Sequence, residues 1–316
     1  MRVAPVLKYP GAKWNLSGWI CSFVDRIPHN TYTEPFFGSG AVFFNKQPSN
    51  IETINDLDQN VVNLFRMVRD RGEDLANLIY MTPWARDEYL ESYEKTGDDI
   101  EDARRFIVRC WQAFATKTSG RTGWRSDVHG RKKSCPSYWS KLPGRLLAVI
   151  DRLKQAEIEN QPAVKILQRY AFDNVLIYAD PPYLQSSRAS RQYACEMLGV
   201  AEHMQLLELL DDHPGPVLLS AYQNHLYDER LRHWHKETKL GRAELGRVRE
   251  EVLWLNPVAI DEMRRVERGT DQRDTERPAP NKRVGTGVSG RDRPKPMAAG
   301  RTVIGQGGEI STRTVG

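Results

Sequence analysis

An acid, two prolines and an aromatic follow directly on an apolar run in Ile177-Tyr178-Ala179-Asp180-Pro181-Pro182-Tyr183. The run Val175-Leu176-Ile177-Tyr178 is rich in β-formers and unbroken, as a buried strand requires. The prolines cannot donate to a sheet ladder and stiffen the chain just past the strand. Asp180 and Tyr183 are therefore expected at the carboxyl edge of a sheet, where open α/β folds bind ligands. A carboxylate, the Pro181 carbonyl and a flat ring can together hold a planar base that bears an amino group. A tight turn with a capping acid is the competing reading of this string taken alone.

A second string lies far upstream, Thr31-Tyr32-Thr33-Glu34-Pro35-Phe36-Phe37-Gly38-Ser39-Gly40, followed by the apolar Ala41-Val42-Phe43-Phe44. Glycines 38 and 40 permit a sharp strand-to-helix turn and close approach of a ligand to the backbone. The next apolar stretch ends in Asp56, sixteen positions after Gly40. An acid at that place commonly grips ribose hydroxyls. The full six-residue dinucleotide fingerprint is absent, which favours a nucleoside ligand without a pyrophosphate. S-adenosylmethionine fits that description. Asp58 competes for the ribose role, but it reads better as the cap of the following helix.

The elements that must position these strings alternate along the chain. Strand-like runs at 51–56, 175–179, 217–220 and 251–255 are separated by helical spacing at 58–70 and 202–212, which argues a mainly parallel sheet covered by helices. A β-type run is expected near Val164. From Pro83 the character changes. Residues 98–114 read as a helix, 116–140 as a polar, glycine-containing stretch, and 142–155 as a further helix. Beyond Pro257, apolar periodicity fades after Met263, and a disordered tail is expected over 258–316.

The 316 residues suffice for a large α/β domain and a smaller one, and the formal charge of +5 is mild. No run of 18 apolar residues occurs, so no membrane span is expected, and the N-terminus lacks a signal-peptide core. Cys21, Cys110, Cys135 and Cys195 have no paired spacing, so small core residues are expected rather than a metal site built from Cys110, His129 and Cys135. A reducing cytoplasm is the expected compartment.

Charge is concentrated between Arg104 and Arg145, which hold eleven Lys or Arg and one acid, Asp127. Trp111, Phe114, Trp124, Tyr138 and Trp139 are interleaved with them. Basic groups neutralise phosphates, and Arg can fork onto a guanine edge, so this stretch suits duplex DNA. Phe106, Trp111 and Phe114 are expected in a helical core. Lys117, Arg121, Arg125, Arg131, Lys132 and Lys133 are the expected DNA contacts.

With these strings in view, the chain resembles the Dam-like DNA adenine-N6 methyltransferases, especially phage and prophage members. The likeness rests on Lys8-Tyr9-Pro10-Gly11-Ala12-Lys13, Glu34 to Gly40, Asn55-Asp56-Leu57-Asp58, Asp180-Pro181-Pro182-Tyr183 and Leu253-Trp254-Leu255-Asn256, and spans roughly residues 6 to 257. It implies a Rossmann-like S-adenosylmethionine-dependent methyltransferase sheet, residues 1–82 and 161–257, with a mainly helical DNA target-recognition domain inserted at 83–160. It places Tyr9 and Lys13 near the methionine end of the cofactor, with Phe37, Gly38 and Gly40 lining it, Asp56 on the ribose and Asp180 also in contact with it.

Asp180 and the Pro181 carbonyl would draw on the adenine amine, with Tyr183 stacked on a base rotated out of the duplex. Because stacking needs only the ring, Tyr183→Phe is expected to be mild. No metal is expected. Double-stranded DNA is the expected partner, a cognate restriction endonuclease is open, and a monomer is expected. The competing classes are a cytosine-N4 methyltransferase, a catalytically weak DNA-binding relative and an RNA methyltransferase. His203 is expected to be structural, and Trp254 and Asn256 either wall the site or simply pack.

Overall fold

The computed structural model describes residues 3–127, 134–184, 192–197, 199–242 and 248–275. Met1–Thr275 form one compact unit, and Glu276–Gly316 lie outside the described residues.

The chain opens with α1 (Ser17–Val24), β1 (Thr31–Glu34), β2 (Ile51–Asn55) and the long α2 (Gln59–Met81). Further helices follow, α3 (Arg86–Glu91), α4 (Asp99–Gln112), α5 (Cys135–Trp139), α6 (Leu142–Leu147) and α7 (Ile150–Leu153). The sheet resumes with β3 (Glu157–Glu159), then α8 (Ala163–Arg169), β4 (Val175–Ala179), α9 (Val200–Asp211) and β5 (Val217–Tyr222). The last elements are α10 (His225–Arg230), β6 (His235–Arg242), β7 (Val248–Leu255) and α11 (Pro257–Thr275).

Seven strands form one sheet in the order β3-β2-β1-β4-β5-β7-β6. The β3, β2, β1, β4 and β5 neighbours pair in parallel, while β7 is antiparallel to both β5 and β6. Strand order reverses between β1 and β4, which opens a crevice at their carboxyl ends. The Rossmann-like sheet expected from the sequence is present.

Strand β4 is buried along its whole length. Its side chains alternate between faces, as a period of two demands. Leu176 and Tyr178 join the core that contains α1, α2 and α4, whereas Val175, Ile177 and Ala179 join the one built on α9.

Two expected helix starts hold. Asp58 caps α2 by accepting from the Asn60 amide, and Asp98 caps α4 through the Ile100 amide.

Several expectations are corrected. Residues 83–160 are largely helical, but they do not carry a core of their own. Phe106, Trp111, Trp139 and Leu142 pack into the same cluster as Leu64, Phe65 and Val68 of α2. The range also ends in β3, which pairs with β2 as the sheet's edge strand, so a boundary at 160 removes a strand from the sheet. The stretch near Val164 is helical, with Ile166 and Leu167 buried on one side of α8. Gly40 leads into a single irregular turn over 41–46 rather than a regular helix. The expected disordered tail starts too early, because α11 runs to Thr275 and buries Ala259 and Met263. Phe114 is 66 % exposed, since α4 ends at Gln112 and the next residues leave its buried face.

Candidate active site

The crevice between β1 and β4 opens into a cavity of about 1140 Å³, counting its mouth. Its wall is drawn from seven separate stretches, the segment after Val6, the turn after β1, the end of β2, the start of α8, the end of β4 with the residues after it, a return at 193–197, and the first half of α9. Tyr9, Lys13, Phe37, Gly38, Asp56 and Asp180, six of the seven residues expected to hold the cofactor, face this one space.

Gly38 and Gly40 both adopt positive φ, 51° and 68°. A side chain at Gly40 would meet Phe37 and Phe44 at 2.5 and 2.6 Å. Gly40 does not line the cavity. It lets the two phenylalanines close behind the wall, so its role as a lining residue is corrected to one of packing.

Asp56 follows the last residue of β2. One carboxylate oxygen accepts from the Gly38 amide at 2.7 Å and the other from the Asp58 amide at 2.8 Å. Burial pushes its carboxyl up to about 7, and these two amides pull the other way. Each oxygen keeps a further lone pair for a ligand hydroxyl. Asp58 is engaged by Asn60 and, at 3.4 Å, by the Tyr9 hydroxyl.

Asp180 stands one residue past β4, as the two prolines require. Its carboxylate meets the Lys13 ammonium at 2.9 Å. Lys13 also donates to the Gly11 carbonyl at 2.9 Å and lies 4.7 Å from the centre of the Tyr183 ring. Burial pushes Asp180 up to about 6, opposed by the Lys13 charge. Burial works against the Lys13 ammonium as well, but Asp180 and Glu251 outweigh it and hold its pKa above the ordinary value. The pair is therefore ionised at neutral pH.

Pro181 and Tyr183 are buried just behind the cavity wall and do not line it. The Tyr183 hydroxyl donates to Glu251 at 2.9 Å, and its ring meets Tyr222 edge-on at 4.4 Å. The phenol is thus part of a buried network, which revises the expectation that only the ring matters.

Sequence reasoning missed four contributors. Glu251 sits on β7 opposite Tyr222. Tyr193 and Cys195 line the cavity from the return segment, and nothing in their local sequence marks them. Glu34 was visible within its motif but had no assigned role. Its buried carboxyl is pushed up to about 8 even though the Tyr32 hydroxyl donates to it at 2.9 Å.

The basic stretch reaches the site through backbone bonds. The amides of Thr118 and Ser119 donate to the Gln192 carbonyl, and the Ala194 amide donates to the Thr118 hydroxyl. Lys117, Arg121 and Arg125 therefore ride on a loop fastened to the segment that roofs the cavity. Arg121 is exposed, with its guanidinium 5.9 Å from the Tyr93 ring centre. Arg104 and Arg105, by contrast, are tied to Glu88 and Glu101. Arg131, Lys132 and Lys133 lie outside the described residues.

His203 is buried against the Tyr227 hydroxyl, and Asn256 bonds β5 backbone and the start of α11, so both are structural. Trp254 packs within the α9 core. No helix among the described residues is long and apolar enough to cross a membrane.

The chain is similar to several known proteins. The Type II methyltransferase M1.LlaDCHI of Lactococcus lactis subsp. cremoris is 25% identical over 251 residues, covering 72% of this chain and 84% of its own. A putative methyltransferase from Escherichia coli superposes with a TM-score of 0.32 at 11% identity, covering 80% of this chain and 91% of that one. An S-adenosylmethionine-dependent methyltransferase from Agrobacterium tumefaciens does so at 0.33 and 13%, covering 77% and 61%. Residues 9–245, which include the cavity's walls and the Asp-Pro-Pro-Tyr string, match a family signature, and by that match the chain belongs to the D12 class N6 adenine-specific DNA methyltransferases.

Proposed function

We propose that this chain transfers a methyl group from S-adenosylmethionine to N6 of an adenine rotated out of duplex DNA, at a specific sequence. The observation that carries the reading is Asp180, a half-buried carboxylate on a rigid turn that faces the same cavity as the ribose-type acid Asp56.

The cavity suits S-adenosylmethionine. It offers Asp56 for the ribose hydroxyls, a glycine-lined wall at Gly38, and aromatic surface from Tyr9 and Phe37. When bound, this donor supplies a methyl group on a sulfonium, which departs as a neutral thioether. Asp56→Asn is the fitting test of the ribose role, because alanine would also free the Gly38 and Asp58 amides. Cofactor affinity should fall in calorimetry, and unchanged affinity would remove Asp56 from that role.

The adenine amine is a weak nucleophile because its lone pair is delocalised into the ring. Asp180 and the Pro181 carbonyl are the acceptors for its hydrogens, and placement near the donor supplies the remaining advantage. Lys13 now holds the position that such an amine would take, 2.9 Å from Asp180 and 4.7 Å from the Tyr183 ring centre. The incoming base must displace the Lys13 ammonium from Asp180 before Tyr183 can stack on it. Basic residues 117, 121, 125 and 131–133 contact the phosphates and the recognition sequence.

The cytosine-N4 alternative shares this chemistry. Methylating a synthetic duplex and digesting it to nucleosides separates the two, with N6-methyldeoxyadenosine expected. N4-methylcytosine in its place would overturn the base assignment.

A further inference from the structure

Tyr183 occupies an unusual place for a stacking platform. It is only 5 % exposed, and its hydroxyl lies between two acids, Asp180 in the cavity wall and Glu251 on β7. There it donates to Glu251 at 2.9 Å. Glu251 is 8 % exposed and sits on β7 opposite Tyr222, whose ring packs on that of Tyr183. One strand pairing therefore fixes both the acceptor of the hydroxyl and the ring that braces its side.

A carboxylate buried to this degree is costly unless it serves a neighbour. An ordinary structural bond could have been made with an uncharged acceptor such as Asn or Gln. Here the charge also acts on Lys13, whose ammonium lies 4.7 Å from the centre of the Tyr183 ring. Lys13, Asp180, Tyr183 and Glu251 thus form a connected row in which two acids balance one ammonium across one phenol.

We propose that Glu251 is a positioning residue for methyl transfer, holding the Tyr183 ring in its plane through the hydroxyl and steadying the Lys13 charge when the base arrives. This rests on reading Tyr183 as the platform for the extruded adenine. Glu251 touches neither substrate. When Lys13 is displaced from Asp180, Glu251 is the remaining acid in its surroundings, so the ammonium is not left uncompensated in the site.

The test compares Tyr183→Phe, Glu251→Leu, the double variant and Glu251→Gln in single-turnover methylation of duplex DNA, with cofactor and DNA affinities measured alongside. Tyr183→Phe and Glu251→Leu should each slow transfer about tenfold, as removal of one buried hydrogen bond would, with affinities kept. The double variant should be no slower than Tyr183→Phe alone, because that change already removes the hydroxyl that Glu251 holds. Glu251→Gln keeps an acceptor and should recover most of the rate.

Glu251→Gln should also move the acid limb of the pH–rate profile to lower pH. Asp180 is faced by Lys13, Glu251, Tyr183, Tyr178 and Glu34, and this change removes one negative neighbour. A purely structural glutamate would leave that limb in place. Should Glu251→Leu fail to fold, slow Tyr183→Phe beside fast Glu251→Gln remains the expected pattern. Additive losses, a glutamine variant as slow as leucine, or an unmoved acid limb would overturn the inference. Tyr183→Ala separates the platform role from that of Glu251. Wild-type transfer by that variant would sink the platform reading itself, whereas slow transfer with a failed Glu251 pattern would sink Glu251 alone.

Discussion

Lys13 and Asp180, 167 positions apart in the chain, are joined by an ion pair 2.9 Å long in the wall of one cavity. Lys13 comes from the segment before α1 and Asp180 from the turn after β4, so folding the sheet is what brings them together. In the proposed mechanism, the pair sets the charge of the acceptor for the adenine amine.

That relationship predicts a pH effect. As the proposed acceptor, Asp180 draws most strongly on the amine hydrogens when ionised, so transfer should fall as pH drops through about 6. Lys13→Met removes the ammonium that opposes burial, and the acid limb should move to higher pH. A pH series of single-turnover rates checks this. An unmoved limb would show that Lys13 does not tune Asp180.

Glu34 predicts a stability effect. Its folded carboxyl is held at about 8, above the ordinary value of 4.5, because burial disfavours the charged form. A raised acid contributes stability that is full below 4.5 and is lost as pH rises to about 8. Thermal melting between these limits should show a declining midpoint, and Glu34→Gln should flatten the decline. Equal slopes in the two proteins would argue against a protonated Glu34.

The loop fastened to Gln192 predicts a salt effect. Replacing Lys117, Arg121 and Arg125 by Ala should weaken DNA binding and lower the slope of log affinity against log salt by roughly 0.9 for each phosphate that is no longer neutralised. Cofactor affinity should not change. An unchanged salt slope would remove these residues from the interface.

Helix α11 predicts where the chain can be shortened. Removing everything after Asp261 deletes Met263, buried in the core, and the pairing of Arg26 with Glu267. The melting midpoint should drop, by about 2–4 °C for each kcal/mol of stability removed. Ending the chain at Thr275 should leave melting and methylation intact. Equal behaviour of the two truncations would return the boundary to 258.

The sheet and most of the cavity were legible in the sequence because their signals are local. An apolar run, a turn of positive φ and an acid at the strand end can each be read from a few adjacent residues, as at 175–180 and 38–56. Asp58 as a helix cap was legible for the same reason. What stayed hidden depends on residues brought together by folding. Glu251 looks like an ordinary charge opening a strand, and only the antiparallel register that sets it opposite Tyr222 carries it to Tyr183. Tyr193 reaches the cavity through a loop without periodicity. The shared core of α2, α4 and α6 was likewise invisible, because amphipathic spacing shows that a face is buried but not against what. The low apolar content after Met263 suggested disorder, yet a few buried side chains suffice to dock one side of α11.

The most direct test of the mechanism is single-turnover methyl transfer by Asp180→Ala, with duplex DNA and S-adenosylmethionine both saturating. Losing one preorganised acceptor should slow transfer to adenine N6 on the order of 10²-fold or more, while DNA affinity persists. Transfer at a near-wild-type rate would contradict the assignment of Asp180 and with it the mechanism.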